Sequence, residues 1–437
     1  MTIYRMAAFV MSIAVLCFIA GDARPFDEHD KMITDTTSKN CLQLRDEDTW
    51  DTYENNLSGV GTPWSLSNVV ASGLNRQGPT LTSSTRPFAP GAPAGYKNGF
   101  RWNDGDMSVD YWIPQGMTAG VSGDSNVVMV AWHYEPESGG RGVRVSIADV
   151  TDMSGLAVPY RHALLVEPHA AGDFREVRVH AGGIAWVGHY LYMVETNVGI
   201  RVFDLNLIRE VNTSAGCADA IGLTGSVHCA YGYRFIIPQV SSYIAPSAKS
   251  DGATIPASCK PRFSTLGKDT RNSPDVLLAA EYCNTTDTAC DLDSTYGAGM
   301  GGRLYRWPLG SDGRLAASAP SGGYVSPEKV YIMNERNIQG VAPIMTQVNG
   351  AYLPDTYWLS STRRSGALFR VSQSTAAKAW YADESDFPWV PEGMHATASG
   401  TNLWVATEGR RDSGGNIITN PATGGRVVIY VAQSSVD

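Results

Sequence analysis

The sequence is short of charge, of helical periodicity and of long apolar runs, and each shortage closes off a class of protein. Only 18% of the 437 residues are Asp, Glu, Lys or Arg, and the formal net charge is -9. No basic run occurs, which argues against nucleic acid and anionic membrane as partners, since both recruit clustered Lys and Arg. No stretch of useful length repeats its apolar residues at the helical period. Beyond the first 23 residues nothing approaches the length of a membrane span. The cysteines form no C-x-x-C pair, so a zinc finger is not indicated. There is no EF-hand loop and no G-x-S-x-G elbow, which leaves serine-hydrolase chemistry without support.

What is present begins with an export signal. Arg5 precedes an uncharged, mostly apolar run from Met6 to Ala20, and Gly21 and Ala23 supply small residues for a cut after Ala23. Residues 1–23 are therefore read as a signal peptide, 24–60 as a loose N-terminal lead, and 61–437 as one domain. The expected product is a secreted monomer. Cys17 leaves with the signal. The six remaining cysteines are Cys41, Cys217, Cys229, Cys259, Cys283 and Cys290. An even count in an exported chain reads as disulfides. Short separations favour Cys217–Cys229 and Cys283–Cys290, leaving Cys41 to meet Cys259. Asn56, Asn212 and Asn284 each open an N-x-[ST] triplet, of consequence only if the host glycosylates.

Glycine (45) and aromatic residues (10%) are plentiful, and one pattern recurs. An apolar segment with Gly is followed by an aliphatic and aromatic run, then by a run that opens with Gly. The clearest copy is "VHAGGIAWVGHYLYMVETNVGIRVFDL". Others are "WIPQGM" with "NVVMVAWHY" and "GVRVSIADV", "NIQGVAPI" with "TYWLSSTRRSGALFRV", and "PEGMHATASGTNLWVATEG" with "GGRVVIYVA". A fifth, "DVLLAAEYC" with "GGRLYRWPL", lacks a clear first run. Branched and aromatic residues bounded by Gly, Asn, Asp and Ser make strands. A fourth run follows most copies: "RHALLVEP", "YRFIIPQV", "EKVYIM" and "AKAWYA". Four-stranded antiparallel modules in series describe an all-β fold, a β-propeller. The third runs open at Gly142, Gly199, Gly302, Gly366 and Gly425. One long interval, Gly199 to Gly302, is read as disulfide-stapled insertions. Five blades are expected, with six or seven as alternatives. The last copy has no fourth run, and a segment within 42–100 is expected to supply it and close the ring.

The run His180–Leu205 resembles secreted propeller proteins of bacteria and fungi without assigned activity, most clearly in "VHAGGIAW" and "GIRVFDL". More distantly, "WVPEGM" and "NIQGV" resemble the blade openings of gluconolactonase/NHL-like and phytase-like propellers. In the gluconolactonase type, a Glu in the "PEG"-like opening binds a divalent metal at the channel. The resemblance therefore implies Glu392 as a metal ligand. The matching positions in two other copies hold Gln115 and Gln339.

Aligning the copies sorts the polar residues into two levels. Gln115, His180, Gln339 and Glu392 lie at the opening of the first strands, with His395 three residues beyond Glu392. His133 and Glu135, Glu195, Glu281, Arg363 and Arg364, and Glu408 and Arg410 lie at the ends of the second strands. Paired carboxylates suit acid and base work when their pKa values differ. Arginines suit an anionic group on a ligand. The expected catalytic set is His133, His180, Glu195, Glu281, Glu392 and His395. The expected ligand-binding set is Gln115, Gln339, Arg363, Arg364, Glu408 and Arg410. Ca²⁺ or another divalent cation is a candidate cofactor. The leading expectation is a polar ligand, a glycan, bound at the channel mouth, with hydrolase or lyase chemistry as its catalytic form. The alternatives are a non-catalytic module for protein or surface recognition, and a metal-dependent lactone or phosphoester hydrolase.

Overall fold

Period-two alternation explains why the strand runs read as unbroken apolar sequence. In Ser125–Tyr134, Val127, Met129 and Ala131 face one neighbouring sheet, while Val128, Val130 and Trp132 face the other. Both faces are buried, so no polar alternation appears. The computed structural model describes residues 32–85, 96–137, 140–283, 301–317, 323–333, 336–345, 347–349, 351–361, 367–372, 378–381 and 390–433. The signal segment, Cys290, Asn284, Arg363, Arg364 and Gly366 lie outside them.

Five antiparallel modules of four strands are present among the described residues. Blade I runs Trp112–Ser122, Ser125–Tyr134, Val143–Asp149 and Ala157–Ala170 from the axis outward. Blade II is Ile184–Val187, Tyr190–Glu195, Gly199–Asp204 and Phe235–Ile244. Blade III is Phe263–Asp269, Val276–Glu281, Gly302–Pro308 and Lys329–Met333. Blade IV is Ile338–Pro343, Thr356–Ser361, Ala367–Ser372 and Lys378–Tyr381. Blade V takes Pro391–Ala396, Asn402–Thr407 and Val427–Ala432, and its outer strand is Tyr96–Arg101 from the N-terminal region. A separate apolar cluster fills each of the interfaces I/II, II/III, III/IV, IV/V and V/I. The architecture is a β-propeller, and the expected closure by an early segment is present.

At the axis the blades meet backbone to backbone. Each innermost strand touches the next, and that of blade V touches that of blade I. A β-carbon placed on Gly116 would lie 2.5 Å from Gly183 Cα and 2.6 Å from Ile184 N. One on Gly340 would lie 2.7 Å from the Glu392 carbonyl oxygen, and one on Gly393 would strike the backbone of Gly116 and Met117. The recurrent glycine of the first runs is therefore a clearance requirement. In blade III the same need is met by Gly267, which comes late in "FSTLGKD" and hid that strand from the repeat search.

The N-terminal segment is tied down rather than loose. Ile33–Thr34 pairs with the outer strand of blade III, Leu44–Asp46 with that of blade II, and Arg76–Pro79 with that of blade I. Cys41–Cys259 fastens this belt, and Cys217–Cys229 staples an insertion within blade II. Cys283 is also disulfide-bonded. Where the ring closes, Asp106 is buried in the short helix Asp104–Ser108. It accepts from Arg144 at 2.9 Å and Tyr160 at 2.6 Å, and lies 3.0 Å from His162 Nε2. Arg144 is held between the rings of Trp112 and Trp132. The arginines and His162 hold the Asp106 carboxyl well below the usual range, outweighing the opposing effect of burial. No helix of the described residues is long and apolar enough to cross a membrane.

Substituting Gly116→Ala should destabilise the protein by at least the roughly 1–3 kcal/mol typical of overpacking, because rigid backbone faces the new methyl group. Gly216 has open space around it, and Gly216→Ala should stay within about 0.5 kcal/mol of wild type. Urea denaturation of both variants checks this. A Gly116→Ala protein as stable as wild type would refute the close approach.

Candidate functional site

Four of the five inner strands break register at the same level. The breaks fall between Pro114 and Met117, Phe263 and Thr265, Ile338 and Gly340, and Pro391 and Met394. A bulge inserts an unpaired residue and re-aims its side chain. Here the inserted residues include Gln115, Ser264, Gln339 and Glu392, so one polar side chain per strand is turned out of the ladder near a single mouth. Ser264 spends its hydroxyl on the Ala280 and Ile338 carbonyls. The other three remain for the mouth.

Over that mouth lies a cleft of about 490 Å³ lined by Ile113, Gln115, His133, Glu135, Pro136, Glu137, His180 and Glu408. Residues from both sequence levels thus converge, supplied by blades I and V and by the segment that opens blade II. Gln115 Nε2 donates to Glu408 Oε2 at 3.2 Å. Beneath Glu408, the Glu392 side chain is fully buried and abuts the Glu408 carboxyl, with Gln339 alongside. Neither Glu392 oxygen has a hydrogen bond of ordinary geometry. Burial pushes the Glu392 carboxyl well above the usual range, and the Glu408 charge pushes it further. Glu408 is raised too, by burial, against the opposing pull of Gln115, His180 and Arg426. Two carboxyls in such contact cannot both ionise cheaply, so ionising either makes the other harder to deprotonate.

The histidines form the other wall. The His133 and His180 rings lie 4.3 Å apart between centroids, tilted by 37°. His133 is 4% exposed, and burial lowers its pKa to about 3, with His180 adding to the effect. Its Nδ1 is buried without a partner. His180 Nδ1 lies 3.2 Å from Glu137 Oε1.

The remaining sequence candidates lie elsewhere. Glu195 accepts from Arg201 Nε at 2.7 Å, in a ladder that continues to Glu167 and Gln239. Glu281 is buried against Tyr305, Arg303 and the Arg262 amide. His395 lines a separate cleft with Lys268, Thr270 and Trp404, and burial lowers its pKa to about 3. Arg410 packs its aliphatic part over Gly424 and does not line the cleft. The acids at the second-strand ends thus have a structural cause. Arg201, Arg303 and Arg426 lie at the start of the adjoining third strands, and the first two pair with Glu195 and Glu281, although burial still raises the Glu281 carboxyl. Arg426 instead donates to the Glu408, Asp106 and Val109 carbonyls, leaving the Glu408 carboxyl for Glu392 and Gln115. Sequence reasoning missed Glu137 and Arg426. The arginine two residues or fewer after the opening glycine of four copies was the available signal for the second; none marked Glu137.

The raised carboxyl fixes the sign of a pH effect. A folded-state pKa above the unfolded one means that folding takes up a proton, so stability is full below the unfolded value near 4.5 and falls as pH rises. Glu392→Gln removes the ionisable group. Its stability should therefore gain on wild type as pH is raised above about 5, by up to about 1.4 kcal/mol for each unit of upward shift, read from melting curves over that range. Parallel melting curves across that range would show that Glu392 is not held protonated.

No known family pattern matches the chain, and no curated protein matches it. Among solved structures it is similar to a GH43_1 enzyme from Xanthomonas citri complexed with xylose, at 12% identity and a TM-score of 0.31, covering 75% of this chain and 90% of that one. It is also similar to the catalytic domain of the Coprinopsis cinerea GH62 alpha-L-arabinofuranosidase, at 11% identity and a TM-score of 0.30, covering 80% and 98%. A third similar structure is that of the RRP9 WD40 repeats, at 11% identity and a TM-score of 0.30, covering 78% and 99%.

Proposed function

We propose that the protein is an exported propeller that binds a polar ligand of the glycan class in the cleft over the bulged mouth. The observation that carries this reading is the buried Glu392 carboxyl pressed against the cleft residue Glu408. A proton held on this pair lets Glu408 donate as well as accept. The Gln115 amide and the imidazoles add both kinds of partner in the same cleft. Ile113 and Pro136 are the apolar lining residues, so the cleft suits hydroxyl-rich chemistry better than an apolar ligand.

The same contact favours recognition over cleavage by two opposed carboxylates. That route needs carboxyl groups about 5–5.5 Å apart or more, with the sugar between them. Glu392 lies behind Glu408, where no glycosidic bond can sit between them. A catalytic form would have Glu408 as the sole proton donor, positioned by Glu392.

A glycan array probed with the mature protein, with and without EDTA, tests the reading. A restricted set of glycans should be retained, and Glu408→Ala should weaken their binding at least roughly tenfold, the equivalent of about 1.4 kcal/mol. A blank array, or binding that Glu408→Ala leaves intact, overturns it. Chromatography of the retained glycan after incubation separates the two forms. Unchanged ligand means recognition alone, and cleavage lost in Glu408→Gln means catalysis.

A further inference from the structure

We infer that His133, Glu137 and His180 form a binding site for one borderline-soft divalent cation of the zinc class, on the wall of the cleft opposite the carboxyl pair. The site is independent of the glycan reading. One ligand atom from each residue lies within 4.8 Å of the other two. His180 Nδ1 and Glu137 Oε1 are 3.2 Å apart. Two ligands on one tetrahedral zinc stand roughly 3.3 Å apart, given metal–ligand bonds near 2.0–2.1 Å. That edge of the coordination shell is therefore already formed.

The third ligand is the rigid one. His133 sits near the end of the strand Ser125–Tyr134, and its Nδ1 is buried without a partner. A buried polar atom left unmatched calls for an explanation, and at an imidazole beside a second histidine and a carboxylate a metal bond supplies one. The neutral imidazole is also the form that ligates. Glu137 and His180 are about half exposed, so their side chains are free to close the remaining distance onto His133.

The donor set selects the ion. Calcium takes six to eight oxygen ligands. Two imidazoles and one carboxylate suit zinc and its neighbours, and three protein ligands leave a fourth position open. All three residues line the cleft, so the open position would be available to water or to an oxygen of a ligand. Glu392, implied as a metal ligand by the sequence resemblance, is not one of the three. It lies buried below Glu408.

The test is a calorimetric titration of Zn²⁺ into untagged, EDTA-treated mature protein, repeated with Co²⁺ while recording the visible spectrum. One ion per chain should bind, and Co²⁺ should give the absorption of a four- or five-coordinate nitrogen–oxygen site. His180→Ala and Glu137→Ala should each weaken binding at least roughly tenfold, whereas His169→Gln, at a residue on the outer strand of blade I beside Asp173 that lines no part of the cleft, should leave it unchanged. These two exposed ligands carry the test because His133 variants risk the fold. Absence of saturable uptake, or uptake that survives both substitutions, overturns the inference. Zinc uptake by a protein whose glycan array is blank would sustain this site and sink the glycan reading. Glycan retention in EDTA by a protein that takes up no ion would do the reverse.

Discussion

Five main chains meeting at one axis impose the constraint from which the rest of the molecule follows. At Gly116, Gly183, Gly340 and Gly393 the next blade stands where a side chain would be. The inner strand of blade III also approaches those of blades I and V, so the axis is narrow. Strands this close leave little space for axial side chains. Apolar volume is moved outward into the five interfaces, where Trp102, Trp132, Trp307 and Trp358 are fully buried. Packing between blades rather than a central plug therefore supplies the cohesion.

Polar chemistry is displaced in the other direction, to the mouths. The register breaks lift Gln115, Gln339 and Glu392 out of their ladders without interrupting the strands beyond. What then distinguishes blade V is the absence of neutralisation. Glu195 and Glu281 meet an arginine of their own blade, and Glu408 meets another acid. A similar position in the repeat thus yields structural ion pairs in two blades and a carboxyl–carboxyl contact in a third. The difference is set by where one guanidinium goes, since Arg426 turns to backbone carbonyls at the ring closure.

The repeat and its four runs were legible in the sequence because strands buried on both faces leave long apolar signatures between turns. The first strand of blade III was not legible, because Gly267 meets the clearance requirement late in the strand. The two polar levels were legible, but their partners were not. Periodicity places Glu281 and Glu408 at one height, and only the sheet shows that Tyr305 and Arg303 face the first while Glu392 faces the second. Cys41–Cys259 and Cys217–Cys229 followed from counting and separation. The belt formed by the N-terminal segment did not, because its strands are two to four residues long and carry no period.

The closure of blade V has a kinetic consequence. Tyr96–Arg101 leaves the ribosome before any blade is made, yet it pairs with Val427–Ala432, more than 300 residues further on. Contacts spanning most of a chain raise contact order and slow folding. Until Val427–Ala432 emerges, Tyr96–Arg101 keeps an unpaired edge of the kind on which chains aggregate. The hydrogen bonds that seal the ring thus make the nascent polypeptide depend on an escort, or on haste, for nearly the whole of its synthesis.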